Sequence, residues 1–159
     1  MFDRFERITR RAHLFTFEDA SADSDQHPFE VRDIFEKIPH VVRDLFDNGH
    51  YAQATFECLK FLDREIARIS GLKETGKSLM MKAFSETDPI IKLTPLSNDT
   101  EKSEQEGYKF IFAGVMLAIR NPRGHEYTIK DTLENCLDHL SFVSVILRRL
   151  ESTGIKIQV

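Results

Sequence analysis

What this chain lacks narrows it first. Among its 159 residues no apolar run approaches the roughly 18 residues of a membrane span, and the opening MFDRFER has no apolar stretch of a secretory signal. A cytoplasmic protein with no membrane partner is expected. Positive charge is not in excess: 22 Lys and Arg stand against 26 Asp and Glu, a net charge of −4. That balance argues against a broad electrostatic footprint for duplex nucleic acid, so any nucleic-acid contact must be local. Cysteine is scarce. Cys58 and Cys136 stand far apart, without a Cys-x-x-Cys or a Cys/His cluster of zinc spacing. They read as small buried residues, and neither a metal nor a cofactor is expected. Strand alternation is also scarce, which leaves helices to form the core.

What is present has helical periodicity. The length is that of one domain, and 41% apolar with 30% charged residues is the composition of a globular protein. Residues 1–27 are mixed: a short helix is conceivable over 2–15, and 18–26 is an acidic, small-residue loop. His27-Pro28 opens a helix that turns Val31, Ile34, Phe35 and Ile38 inward until Pro39 breaks or kinks it. Val41, Val42, Leu45 and Phe46 continue the pattern, and Asn48-Gly49 stops it with left-handed residues. A long helix follows over 51–69, with Thr55, Cys58, Leu59, Leu62, Ile66 and Ile69 at three- and four-residue steps, ending at Ser70-Gly71. A two-turn helix fits 78–84, and 88–99 is a loop with two prolines. The next helix begins within 100–103 and buries Tyr108, Ile111, Phe112, Val115 and Ile119. The last opens at Thr128 with Asp131 in a capping box and buries Leu133, Leu137, Leu140, Leu147 and Leu150. The tail 155–159 alternates like a strand without an evident partner. The expected fold is all-α, a compact bundle of about four to six helices over 28–159, with 1–27 a variable N-terminal segment.

Two motifs compete for the chemistry. GLKETGKS, residues 71–78, matches the phosphate-loop pattern G-x-x-x-x-G-K-[ST] letter for letter. That loop works by joining a strand to a helix, so that backbone N–H groups cradle phosphates. Here an amphipathic helix precedes it, so the segment reads as a helix stop followed by the start of a short helix. The second motif is AIRNPRGHEY, residues 118–127. Arg7 with His13 and Arg43 with His50 have comparable spacing, so spacing alone says little about Arg120 with His125. Context separates the third pair: an apolar helix delivers Arg120 to its last turn, and Pro122 and Gly124 force a turn before His125. Arg120 and His125 would then converge at one helix junction. The plainer alternative has Arg120 offsetting the helix dipole and His125 on the surface. Gly107 and Gly114 are expected to permit close helix packing, and His13, His27, His40, His50 and His139 are read as structural.

Arg120-Asn121-x-x-x-His125 resembles the motif of the HEPN superfamily: an Arg, a polar residue beside it and a His a few positions on. The resemblance to its Ymh-like branch of bacterial and phage proteins is wider and spans 39–150. It rests on Leu45-Phe46-x-x-Gly49-His50-Tyr51, Gly76-Lys77-Ser78-Leu79-Met80 with Ala83-Phe84-Ser85, and Gly107-Tyr108-x-x-x-Phe112-Ala113-Gly114 running into Ile119-Arg120-Asn121-Pro122. The phosphate-loop lookalike falls inside it. The resemblance implies a helical domain that forms a twofold homodimer with two Arg/His sites facing one cleft. Active HEPN proteins are metal-independent endoribonucleases of toxin–antitoxin, abortive-infection and phage-defence systems; others are silent and bind nucleotides or proteins. An RNA substrate and an antitoxin protein are the implied partners. His125 would be general base or acid, Arg120 the electrostatic clamp, Asn121 an orienting group and Arg123 a phosphate contact. In some HEPN toxins a tyrosine placed like Tyr127 receives AMP from a partner enzyme, which makes Tyr127 a candidate modification position.

Overall fold

The bundle is organised around one long helix whose buried side includes two carboxylates. A computed structural model describes residues 26–126 and 128–159, and the expected short helix over 2–15 and the acidic loop up to residue 25 lie outside them. Asp33–Val159 forms one compact unit; the residues before it belong to another. In that other unit α1, Pro28–Val31, is a single turn with proline at its start and Val31 exposed. Its N-terminus is closed reciprocally: His27 Nδ1 accepts the Phe29 N–H at 3.1 Å, and Glu30 Oε2 accepts the His27 N–H at 3.2 Å.

Within Asp33–Val159 the helix expected to continue from α1 is absent: Asp33 takes φ 49°, and Ile34, Phe35 and Ile38 are buried from turns. The Phe35 N–H donates to Ser144 Oγ at 2.9 Å, so a side chain replaces the lost helical bond. Helix α2, His40–Asp47, buries Val42 and Phe46 and leaves Val41 exposed. Gly49, at φ 76°, turns the chain so that the His50 N–H closes on Leu45 O at 2.8 Å. Asn48 keeps a negative φ, so only glycine takes the left-handed position. Helix α3, Tyr51–Ser70, packs chiefly on α2 and on the last helix; it ends at Gly71 with φ 70°.

Helix α4, Gly76–Ala83, packs on α5, Asp99–Val115. The loop between them is held from inside. Gln105, fully buried, accepts the Leu93 N–H at 2.8 Å and donates to Ile91 O at 2.9 Å. Phe84 and Phe112 stack at 4.1 Å between centroids beneath it. Helix α5 departs from its expected inner face: Phe112 and Val115 are buried, but Ile111 is exposed and Lys109 is buried against Glu86. The last helix, α7, Leu133–Glu151, starts later than expected, capped by Thr132, whose Oγ1 accepts the Asn135 N–H at 3.2 Å. Asp131 cannot close a capping box from Thr128 because its carboxylate is engaged with Arg123. Leu137, Leu140, Leu147 and Leu150 are buried as expected, while Leu133 is exposed. The tail finds its partner on α3: Arg68 donates to Lys156 O at 2.8 Å, Glu65 accepts the Gln158 N–H at 2.9 Å, and Ile157 is buried. Among the described residues there is no strand, and the fold class is all-α. No helix among them is long and apolar enough to cross a membrane.

Candidate active site

The helix that carries the Arg/His motif does not stop where its proline and glycine suggest. Residues Met116–Arg120 widen into a π turn, in which the Asn121 N–H reaches back five residues to Met116 O. Pro122 has no N–H to offer, and in a regular helix its ring would clash with the carbonyl four residues earlier. A π turn just before it moves that register, so the chain continues helically as α6, Asn121–His125. The expected turn at Pro122 and Gly124 is therefore replaced by one that begins at Glu126, with φ −111° and ψ 98°. Gly124 answers a packing need instead. A Cβ there would stand 3.0 Å from Cε2 of Phe56 on α3, so the bare backbone lets the aromatic ring reach α6.

The same packing fixes Arg120. The π turn lies against both α3 and α4. Its last residue turns inward, with the Arg120 Cζ 5.8 Å from the Phe56 ring centroid and Nη2 3.7 Å from Asp63 Oδ2. The Arg120 side chain keeps 23% of its exposure, and its Nε is buried without a hydrogen-bond partner. Asp63 is buried, and its other oxygen accepts the Gly76 N–H at 2.7 Å. Gly76 stands at φ 60°, and a Cβ on it would lie 3.8 Å from Arg120 Nη1. Asn121 and His125 are one turn apart and share a face of α6, the first half-buried and the second exposed. One chain thus presents His125 and Asn121 outward while Arg120 is gripped from within.

Arg123 is committed elsewhere. Its Nε and Nη2 donate to the two Asp131 oxygens at 2.7 and 2.5 Å, and Nη1 donates to Ile119 O at 2.8 Å. Both residues are partly buried, with their side chains at 10% and 4% exposure. This fork ties the 126–132 loop to the end of the motif helix, and it commits three of the five guanidinium N–H groups inside the chain. His139 on α7 feels the fork: burial first, then the Arg123 charge, holds its imidazole below its ordinary titration range. Tyr127 lies outside the described residues. The two cysteines are free and buried, and burial pushes the Cys136 thiol up to about 11, so both are packing residues as expected.

Asp63 and Phe56 stand in no motif of the sequence, and Gly76 stands in the phosphate-loop lookalike with nothing there to link it to Arg120. A signal for Asp63 was present: it falls four residues after Leu59 and three before Ile66, on the face that α3 buries. An acidic residue on an apolar stripe calls for a cation. The phosphate-loop lookalike reads as expected, a helix stop at Gly71 and a helix start at Gly76, with helix α3 and not a strand before it.

Fold and motif define a helical domain with a partly buried arginine and an exposed histidine at one helix end. The chain belongs to the family described as "Protein of unknown function (Hypoth_ymh)", whose model matches residues 32–150. No curated protein and no solved structure matches it.

Proposed function

We propose that the protein is a metal-independent endoribonuclease of the HEPN superfamily, of toxin or phage-defence type, working as a twofold dimer. The observation that carries this reading is the placement of Arg120, partly buried and facing Asp63, next to the short helix that carries half-buried Asn121 and exposed His125. RNA cleavage of this kind uses the substrate's own 2′-hydroxyl as nucleophile. It needs a group that titrates near neutrality to take that proton, and a fixed cation against the charge growing on the phosphorane oxygens. His125 is assigned the proton transfer and Asn121 the orientation of the phosphate or the imidazole. Arg120 carries the charge stabilisation. The oxygen–phosphorus bond to the 5′-oxygen breaks as the 2′-oxygen bonds to phosphorus, and the leaving oxygen takes a proton from the facing His125 of the second copy, leaving a cyclic phosphate and a 5′-hydroxyl. Arg123, closed on Asp131, is assigned to holding the loop beside His125.

The dimer completes the site in this reading. Phe110, Ile111 and Leu117 are exposed on α5 and the π turn, at spacings that put them along one stripe leading to Arg120. Gly107 and Gly114 interleave with them, and a Cβ at either meets nothing in its own chain. The close helix packing expected of these glycines is assigned in this reading to the approach of a second copy, which their openness suits. A twofold pairing along this stripe would bring the two helix ends toward one cleft.

The test is purified protein with a defined RNA and the same sequence as DNA, in excess EDTA. RNA is expected to be cut and DNA left intact, with Arg120→Ala and His125→Ala each lowering the rate at least about 100-fold, the order of losing one transition-state contact. Lys77→Ala, on an exposed side chain at the start of α4, is expected to leave the rate unchanged. Cutting that requires a metal, or cutting of DNA, overturns the assignment.

A further inference from the structure

We infer that Asp63 is a positioning residue for Arg120, and that the GLKETGKS segment serves this site by anchoring that carboxylate. The inference rests on the ribonuclease reading for its catalytic part only. An arginine side chain has several freely rotating bonds, and a cation stabilises a developing charge well only when it is already in place. Two contacts restrict this one. The guanidinium lies over the Phe56 ring and Asp63 Oδ2 faces Nη2 at 3.7 Å, while the bare side of Gly76, where a Cβ would stand 3.8 Å from Nη1, leaves room beside it. Asp63 is itself fixed, because Oδ1 accepts the Gly76 N–H at 2.7 Å from the first residue of α4. The carboxylate therefore bridges α3, α4 and the π turn. The 3.7 Å separation leaves the pair looser than a bidentate fork, so Arg120 keeps donors for a phosphate while its direction is set. The left-handed φ of Gly76, 60°, lets its N–H point at Asp63 with no side chain beside the guanidinium. What looks like a phosphate loop holds an aspartate, and the aspartate holds the arginine.

The test compares wild type with Asp63→Asn and Asp63→Glu in two readouts. Asn keeps the size and the acceptor for Gly76 but removes the charge facing Arg120; Glu keeps the charge and moves it by one methylene. In steady-state cleavage of a defined RNA in EDTA, Asp63→Asn is expected to lower kcat by about tenfold or more. KM should be unchanged or lower, because a negative charge near an anionic substrate is lost. Asp63→Glu should fall between Asn and wild type. The second readout is the Arg120 Nε–H resonance, assigned by its loss in Arg120→Lys: expected in slow exchange in wild type, and shifted to the exposed-arginine position in Asp63→Asn. An unchanged or raised kcat in a folded Asp63→Asn protein overturns the inference. If wild type cuts no RNA, the ribonuclease reading falls while the resonance still decides: the same Arg120 signal in wild type and Asp63→Asn overturns positioning. Should Asp63→Asn lose its fold, the same two readouts on Asp63→Glu decide, a wild-type kcat with a wild-type Arg120 signal counting against the inference.

Discussion

Two arginines three residues apart meet opposite fates, and the difference lies in their partners. Arg123 finds both oxygens of Asp131 and a backbone carbonyl, a bidentate fork with a third bond; Arg120 finds one oxygen at 3.7 Å and lies over an aromatic ring. A bidentate pair with little exposed side chain stabilises chiefly by the cost of breaking it, since removing one member strands the other charge. Arg123→Ala and Asp131→Ala are each expected to lower unfolding free energy by about 3 kcal/mol. The double variant should cost less than the sum of the singles, because with both charges gone neither is left stranded. Urea denaturation of the four proteins measures this. Strict additivity would show that the fork does not tie the loop. Both residues stood in plain view in the sequence, as Arg123 in the motif and Asp131 near the last helix start. Their pairing was hidden because it joins a helix end to a loop eight residues on, a contact that no helical periodicity encodes.

At the scale of elements, α3 and α7 were legible because their apolar residues repeat every three or four positions over many turns. The end of the long motif helix was misread because Pro122 and Gly124 are ordinary stop signals, and the π turn at Met116–Arg120 that carries the helix past them leaves no mark in residue type. Helix α7 also reaches this region through His139, whose Nδ1 is buried without a partner. The groups facing it are Arg123, Asp131 and Asp138. Its imidazole titrates below the ordinary 6.5. The sign follows from proton uptake: below pH 6.5 the unfolded chain takes up a proton that the folded chain resists, so this group's contribution to stability is intact above that pH and is lost progressively as pH falls from there through the lower folded value. Melting temperature is expected to decline from pH 7 to pH 5, and His139→Leu, which has nothing to titrate, should decline less steeply. Parallel pH profiles would remove His139 as a source of the slope.

For the molecule as a whole, the net charge of −4 and the outward apolar stripe bear on one question, how an acidic protein would gather RNA. At the motif a single chain offers inward-turned Arg120 and exposed His125, with Arg123 already paired. Two copies joined along Phe110, Ile111 and Leu117 would place two such ends together and concentrate cationic groups locally, without a basic surface. Leu117, 46% exposed, sits in the π turn at the end of that stripe nearest Arg120. Placing a charge there should cost the single chain little, since surface changes away from special features stay within about 0.5 kcal/mol. In a dimer core the same charge would be buried opposite its own copy. Leu117→Glu is therefore expected to sediment as a monomer at concentrations where wild type is a dimer, with unchanged helical circular dichroism and with RNA cleavage lost alongside. If wild type sediments as a monomer and still cuts RNA, or if Leu117→Glu remains dimeric, the stripe is not the surface that completes the site.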